Sequence, residues 1–90
     1  ASSARLIASV GGSSAGDPML VFDIPGVYDW FVGIDNNDSD KFKISGLNGI
    51  GSASDVLTIT TAGSVGIGCT PAALLDVNGL IRSTHITAFT

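Results

Sequence analysis

The stretch that most constrains the fold of this chain is residues 63–79, which read G-S-V-G-I-G-C-T-P-A-A-L-L-D-V-N-G. Its glycines alternate with apolar runs that are too short to bury themselves, so the stretch must pack against neighbouring chain or against other chains. The spacing G-x-x-G-x-G is not the G-x-G-x-x-G of a dinucleotide site, and no Walker lysine follows. We therefore interpret it as a corner used for assembly, with the following candidate residues: Gly63, Gly66, Gly68, Asn78 and Gly79.

The composition also indicates that much of the surface is shared. Of the 90 residues, 44% are hydrophobic and only 13% are charged, whereas soluble domains carry about 25% charged residues. We expect an obligate oligomer or a fibrous assembly, with a Ser/Thr-surfaced secreted monomer as the alternative. The net charge of −4 argues against nucleic acid as a partner. The apolar runs are interrupted every few residues, which argues against membrane insertion.

Alternation of apolar and polar residues predicts an all-β fold of short strands and hairpins. The predicted strands are residues 5–10, 19–24, 27–35, 41–45, 56–61 and 80–89. Turns are expected at Pro25-Gly26 and at residues 36–40, and one helical turn at residues 70–73. Leu20, Phe22 and Ile24 are expected to share one face of their strand. The side chains expected to point inward are Tyr28, Trp30, Val32, Ile34, Phe42, Ile44, Leu57 and Ile59. Those expected to point outward include Lys41, Lys43, Thr58 and Thr60.

These elements suggest three regions. Residues 1–16 are an N-terminal strand and a flexible Gly/Ser-rich linker, residues 17–62 a hairpin or meander domain, and residues 63–90 the glycine-rich corner with C-terminal assembly strands. The chain begins without a Met or a signal peptide, from which we expect a fragment or a processed product.

Several segments resemble a known family. The runs V-F-D-I-P-G-V-Y-D-W-F-V-G-I-D-N-N-D-S-D-K-F-K-I-S, L-T-I-T-T-A-G-S-V-G-I-G and L-L-D-V-N-G resemble the distal shaft of phage tail fibres and tailspikes, just before a self-cleaving intramolecular chaperone of the endosialidase type. The resemblance covers roughly residues 16–89. One departure is that the family usually has Thr-Thr-Ser-Pro where this chain has the shorter Cys69-Thr70-Pro71.

The resemblance implies an interwoven homotrimer of parallel chains, such as a β-prism or triple β-helix, in which glycines lie where chains approach the axis closely. It also implies that Thr90 lies at or near a C-terminus left by self-cleavage. The catalytic Ser and Lys of the chaperone would lie beyond Thr90, so no catalytic residue is assigned to this chain and no enzyme activity is expected.

Other candidate sites are weaker. The acidic turn at residues 35–40 has the odd spacing of a calcium loop but lacks the required Gly and Glu, so we favour a self-capped turn and expect no metal or cofactor. Cys69 is expected to be a small buried filler and His85 an ordinary polar position. Tyr28, Trp30 and Phe31 are candidates for glycan or subunit contact, with Trp30 favoured as core and Phe31 as the better subunit contact.

The function expected from these observations is structural. The chain is interpreted as a trimeric segment of a viral or phage-like tail fibre, at the virion surface or outside the cell, that serves in host attachment. One alternative is a subunit of an extracellular filament in which residues 5–10 pair with the sheet edge of the next copy. The other is a monomeric carbohydrate-binding β module.

Overall fold

Residues 19–77 form one mixed six-stranded sheet in the computed structural model, which describes residues 2–85. The strands are β1 (Met19–Ile24), β2 (Tyr28–Asp35), β3 (Lys41–Ser45), β4 (Asp55–Ile59), β5 (Val65–Ile67) and β6 (Leu75–Val77). Their order in the sheet is their order in the chain, and all neighbours are antiparallel except β5 and β6, which are parallel. Over residues 2–85, no helix is long and apolar enough to cross a membrane. The all-β fold class is confirmed.

Two predicted turns connect the first three strands. Between β1 and β2, the Val27 amide donates to the Ile24 carbonyl at 2.9 Å, and Gly26 has a φ of 71° that suits glycine. Between β2 and β3, residues 36–40 form a tip in which Ser39 and Asp40 adopt positive φ values of 53° and 56°. Both turns lie where the sequence predicted them, because their turn residues supply the backbone angles that a reversal needs.

The register of the strands divides the side chains between two faces. One face carries fifteen apolar or aromatic residues in continuous cross-strand rows, and we call it the open face. Its members are Leu20, Phe22, Ile24, Tyr28, Trp30, Val32, Ile34, Phe42, Ile44, Leu57, Ile59, Val65, Ile67, Leu75 and Val77. The opposite face, which we call the covered face, carries most of the polar strand residues.

The chain's own loops lie over the covered face. A Cβ at Gly49 would lie 3.9 Å from the Phe31 ring, and one at Gly51 would lie 2.9 Å from Asp35 Oδ2. The four buried polar residues are Asp35, Lys43, Ser45 and Thr58, while no hydrophobic side chain of the described residues is fully buried. The single chain therefore has a polar interior and lacks a closed hydrophobic core.

The predicted inward and outward directions are wrong for the single chain. Lys43 and Thr58 were expected to face solvent, yet each is only 4% exposed. Phe42 and Trp30 were expected to be core, yet they are 38% and 44% exposed. Alternation correctly separated the two faces, but the loops cover the polar face and leave the apolar one open.

Three predicted elements are absent. Residues 5–10 and 80–85 form no strand and are exposed, because a strand needs a hydrogen-bonded neighbour and the described residues supply none; residues 86–89 of the last prediction lie outside the described part. Residues 70–73 form no helical turn. Instead, the Ala72 amide donates to Asp76 Oδ2 at 3.0 Å, which closes the connection from β5 to β6.

Candidate functional site

The open face is the feature of this chain that most needs a partner. None of its fifteen side chains is charged, and nine of them are exposed. Leu20, Phe22, Ile24 and Leu75 are each more than half exposed, at 51%, 58%, 61% and 59%. Leaving such side chains in water forgoes about 1.5 to 3 kcal/mol for each one that could be fully buried.

The size of the open face also indicates an interface. Six strands spaced about 4.8 Å apart make a sheet roughly 25 Å wide, and strands of three to eight residues make it about 10 to 26 Å long. Contiguous apolar patches on monomers rarely exceed a few hundred Å². Because the open face reaches that scale with no polar interruption in its rows, it has the character of a protein interior.

An aromatic group lies at one end of the open face. The Tyr28 and Trp30 rings have centroids 5.4 Å apart at an angle of 50°, and Phe22 lies directly across from Trp30. The Tyr28 hydroxyl lies over Gly46, where a Cβ would collide with it. Sugar recognition usually combines an aromatic platform with polar groups, and Asp29, the nearest carboxylate along the chain, lies on the covered face.

Phe31 lies away from this group. It is on the covered face, half-buried, with its ring beneath Gly49. The structure therefore brings Tyr28 and Trp30 together and separates Phe31 from them. Of the three aromatic candidates, the first two are placed for contact across the open face.

A buried lysine organises the covered face. Lys43 Nζ lies 2.8 Å from Asp35 Oδ2, 2.8 Å from Asp38 Oδ2 and 3.2 Å from Asp55 Oδ2. Lys41 Nζ lies 2.7 Å from the other oxygen of Asp38. The two ammonium groups thus lie among three carboxylates, so this acidic cluster is an internal ion-pair network, and the described residues contain no cluster suited to a metal ion.

A β-bulge brings Asp55 into the network. Ile44 pairs with Leu57 and Ser45 pairs with Asp55, so Val56 is an extra residue in β4. Without it, Asp55 would point to the open face, because a one-residue slip reverses every side chain. With it, Asp55 accepts hydrogen bonds from Ser45 Oγ and from the Gly51 amide. The bulge keeps a charge off the open face.

The network changes the pKa values of its members. Burial alone would lower the pKa of Lys43, but hydrogen bonds from its ammonium to Asp35, Asp38 and Asp55 raise that pKa well above its usual range. Hydrogen bonds from Lys41 and Lys43 lower the pKa of Asp38. Both changes favour the charged forms, so the ion pairs persist at neutral pH.

A second pair of carboxylates is unbalanced. Asp23 and Asp29 are direct cross-strand partners on β1 and β2. A side-chain hydrogen bond with Asp23, together with desolvation and the charge of Asp23, raises the pKa of Asp29. Neither carboxylate has a cationic partner within residues 2–85, so the end of β1 carries uncompensated negative charge.

Asn36 holds the N-terminal segment, a role that the sequence analysis did not identify. Its Nδ2 donates to the carbonyls of Gly12 at 2.9 Å and Ala15 at 3.1 Å. Its amide donates to Asp17 Oδ1 at 2.8 Å. The linker predicted to be flexible is therefore fixed beside the start of β1. The contacts span 19 to 24 residues, and no local spacing signals them.

The predicted assembly corner is divided between two turns. Gly63 lies in the β4–β5 turn, where its amide donates to the Thr60 carbonyl at 2.9 Å and its φ is +90°. Gly66, in β5, leaves no room for a Cβ against the Cys69 carbonyl and lies near Pro71. Its close neighbour is therefore this chain's own loop, and an approach of other chains at this glycine stays a prediction.

The remaining corner residues meet after β5 and β6. Asn78 donates its amide to the Ile67 carbonyl at 3.0 Å and its Nδ2 to the Gly68 carbonyl at 3.5 Å. Gly68 has a φ of +73°, and Gly79 follows Asn78 as an exposed residue. These contacts make the corner a device for aligning β5 with β6.

Cys69 and His85 each make a single hydrogen-bond contact among the described residues. Cys69 was expected to be buried but is half-buried, with its Sγ 3.5 Å from the Asp76 carbonyl. His85 is exposed, and its backbone amide donates a hydrogen bond to Ser83 Oγ at 3.2 Å.

Comparison with known proteins identifies no relative: no protein-family model matches this chain, and no curated protein is significantly similar to it.

Proposed function

We propose that this chain is a non-enzymatic structural segment of a trimeric fibre, in which the open faces of three copies form a shared core. The observation that carries the proposal is the uninterrupted apolar open face on a chain whose own interior is polar. Three copies enclosing their open faces would bury the nine exposed apolar side chains and leave the loops and carboxylates in water.

The dimensions of the sheet support three copies. Three sheets about 25 Å wide that form a triangular prism would each lie roughly 7 Å from the common axis. For comparison, two sheets packed face to face lie about 10 Å apart, so each is about 5 Å from the plane between them. Leu, Phe and Trp side chains are long enough to fill that space. A stiff prism of this kind suits an attachment fibre at a virion surface or outside a cell, as the tail-fibre resemblance implies.

The mass of the protein in solution tests the proposal. We expect sedimentation equilibrium to give three times the chain mass of 9.1 kDa, with Phe22→Lys dissociating the trimer. Val21→Lys is the matched control, because Val21 is adjacent to Phe22 in β1, is 41% exposed and points to the covered face. We expect Val21→Lys to remain trimeric.

Two outcomes would contradict the trimer. A stable dimer would indicate a face-to-face sandwich of two sheets, and a monomer that binds sugars on a glycan array through Trp30 would indicate the carbohydrate-binding alternative. The cross-strand neighbour of Trp30 on the open face is Phe22, an apolar residue, which weighs against sugar binding through Trp30.

A further inference from the structure

The outer edge of β1 has no strand partner within residues 2–85. β1 is the first strand of the sheet, and among the described residues it pairs only with β2. It is six residues long, whereas β6 at the opposite edge has three. A long apolar edge with open backbone groups favours pairing with another extended segment, and Asp23 is the one charged residue along it.

A segment of matching chemistry precedes β1 in the chain and does not pair with it. Residues 5–10 read R-L-I-A-S-V, a β-forming sequence, yet they are exposed and form no strand; Leu6 is 95% exposed and Ile7 68%. Asn36 fixes the chain that follows at Gly12 and Ala15. The segment is therefore held only through the residues that follow it, and it does not pair with β1 of its own chain.

We propose that residues 5–10 of one copy pair with the β1 edge of a second copy, as an added antiparallel strand that links fibre units to one another. The contact differs from the open-face contact and does not depend on it. Charge complementarity supports it, because Arg5 and Asp23 carry opposite charges and neither forms an ion pair within residues 2–85.

The side chains select one register for this pairing. Arg5 opposite Asp23 puts Ile7 beside Val21 on the covered side, and puts Leu6 beside Phe22, where it extends the open face. A shift by one residue would put Arg5 opposite Ile24 and its charge on the open face. Charge pairing and apolar pairing therefore agree on a single alignment.

Charge reversal tests the contact. We expect the parent chain, trimeric at low protein concentration, to form species larger than a trimer as its concentration rises. Arg5→Asp and Asp23→Arg should each weaken this further association roughly fivefold to tenfold, since exposed ion pairs contribute up to about 1 kcal/mol and reversal adds repulsion. The double variant Arg5→Asp/Asp23→Arg should restore it. Arg82→Asp, which changes the chain's other exposed arginine, should have no effect.

Cysteine pairing provides a second test. In a Cys69→Ser background, Ile7→Cys with Val21→Cys should give disulfide-linked copies on a non-reducing gel. A disulfide within one chain, or Arg5→Asp behaving as Arg82→Asp does, would overturn the proposal. Trimers persisting in Arg5→Asp would leave the open-face assembly standing, whereas failure of that assembly would appear as species smaller than a trimer in Arg5→Asp, in which the edge contact is weakened.

Discussion

At the scale of single residues, Lys43 determines what the covered face can be. It is a buried cation whose three carboxylate partners come from β2, from the turn after β2 and from the bulged start of β4. A buried charge is costly unless it is paired and hydrogen-bonded. Lys43 therefore aligns three separate segments of the chain through one ammonium group.

Replacing Lys43 should be the most damaging single change in the sheet. We expect Lys43→Met to lower the free energy of unfolding by on the order of 3 kcal/mol, because the buried Asp35 and the half-buried Asp55 would lose their counter-charge. Lys41→Met should cost less than about 1 kcal/mol, since its partner Asp38 is 41% exposed. Urea denaturation at one protein concentration measures both, and equal losses would contradict this role.

The network also predicts how stability depends on pH. The pKa of Asp38 is lowered from 3.8, so its contribution is present above pH 3.8 and is lost as the pH falls through the folded-state pKa. The pKa of Lys43 is raised from 10.5, so its contribution is complete below pH 10.5 and is lost as the pH rises through the folded-state pKa. Thermal unfolding across pH should show both losses, and Lys43→Met should flatten the alkaline one.

At the scale of elements, the sequence predicted the regular strands well, but it missed the bulge in β4 and the short strands β5 and β6. The bounds of β1 and β3 match the alternation because neither strand contains an irregularity. The bulge at Val56 is invisible to alternation, and it moved the start of β4 to Asp55. β5 and β6 have three residues each, too few to show the alternation of a strand. Both strands therefore went unrecognised within residues 63–79.

The N-terminal segment gives an element-scale prediction. Asn36→Ala should release residues 12–16, because its Nδ2 donates to the carbonyls that hold them. Amide hydrogen exchange across these residues should then accelerate by at least about tenfold, the equivalent of one lost hydrogen bond of roughly 1.4 kcal/mol. Asn37→Ala is the control, since Asn37 bonds to Asp35 through its backbone amide. Unchanged exchange in Asn36→Ala would show that the segment is held by other contacts.

At the scale of the whole molecule, alternation predicted which residues share a face but not which face the chain covers. That outcome depends on where the nine-residue loop between β3 and β4 and the seven-residue loop between β5 and β6 fold, and their backbone contacts have no period. The candidate Trp30 illustrates the limit. Its phase with Tyr28 was predicted correctly, but whether it is core depends on other copies of the chain.

Trp30 is the only tryptophan of the chain, and it reports on assembly. We expect its emission to shift to shorter wavelength and its quenching by acrylamide to fall as protein concentration rises, because the open face becomes dry. In Phe22→Lys the emission should stay at long wavelength at every concentration, while Val21→Lys should follow the parent. Emission that is independent of concentration in the parent, at the red end, would contradict burial of Trp30 between copies.

The order of the strands has a consequence for how such a fibre is made. Every neighbouring pair in the sheet is also consecutive along the chain, so each sheet needs only short loops to close, and short-range contacts form quickly. Encounter between copies is the slower event, and its rate depends on concentration. We therefore expect the sheet to fold within a single chain and the assembled state to form only when other copies are present. Synthesis of several copies close together should then increase the yield of fibre.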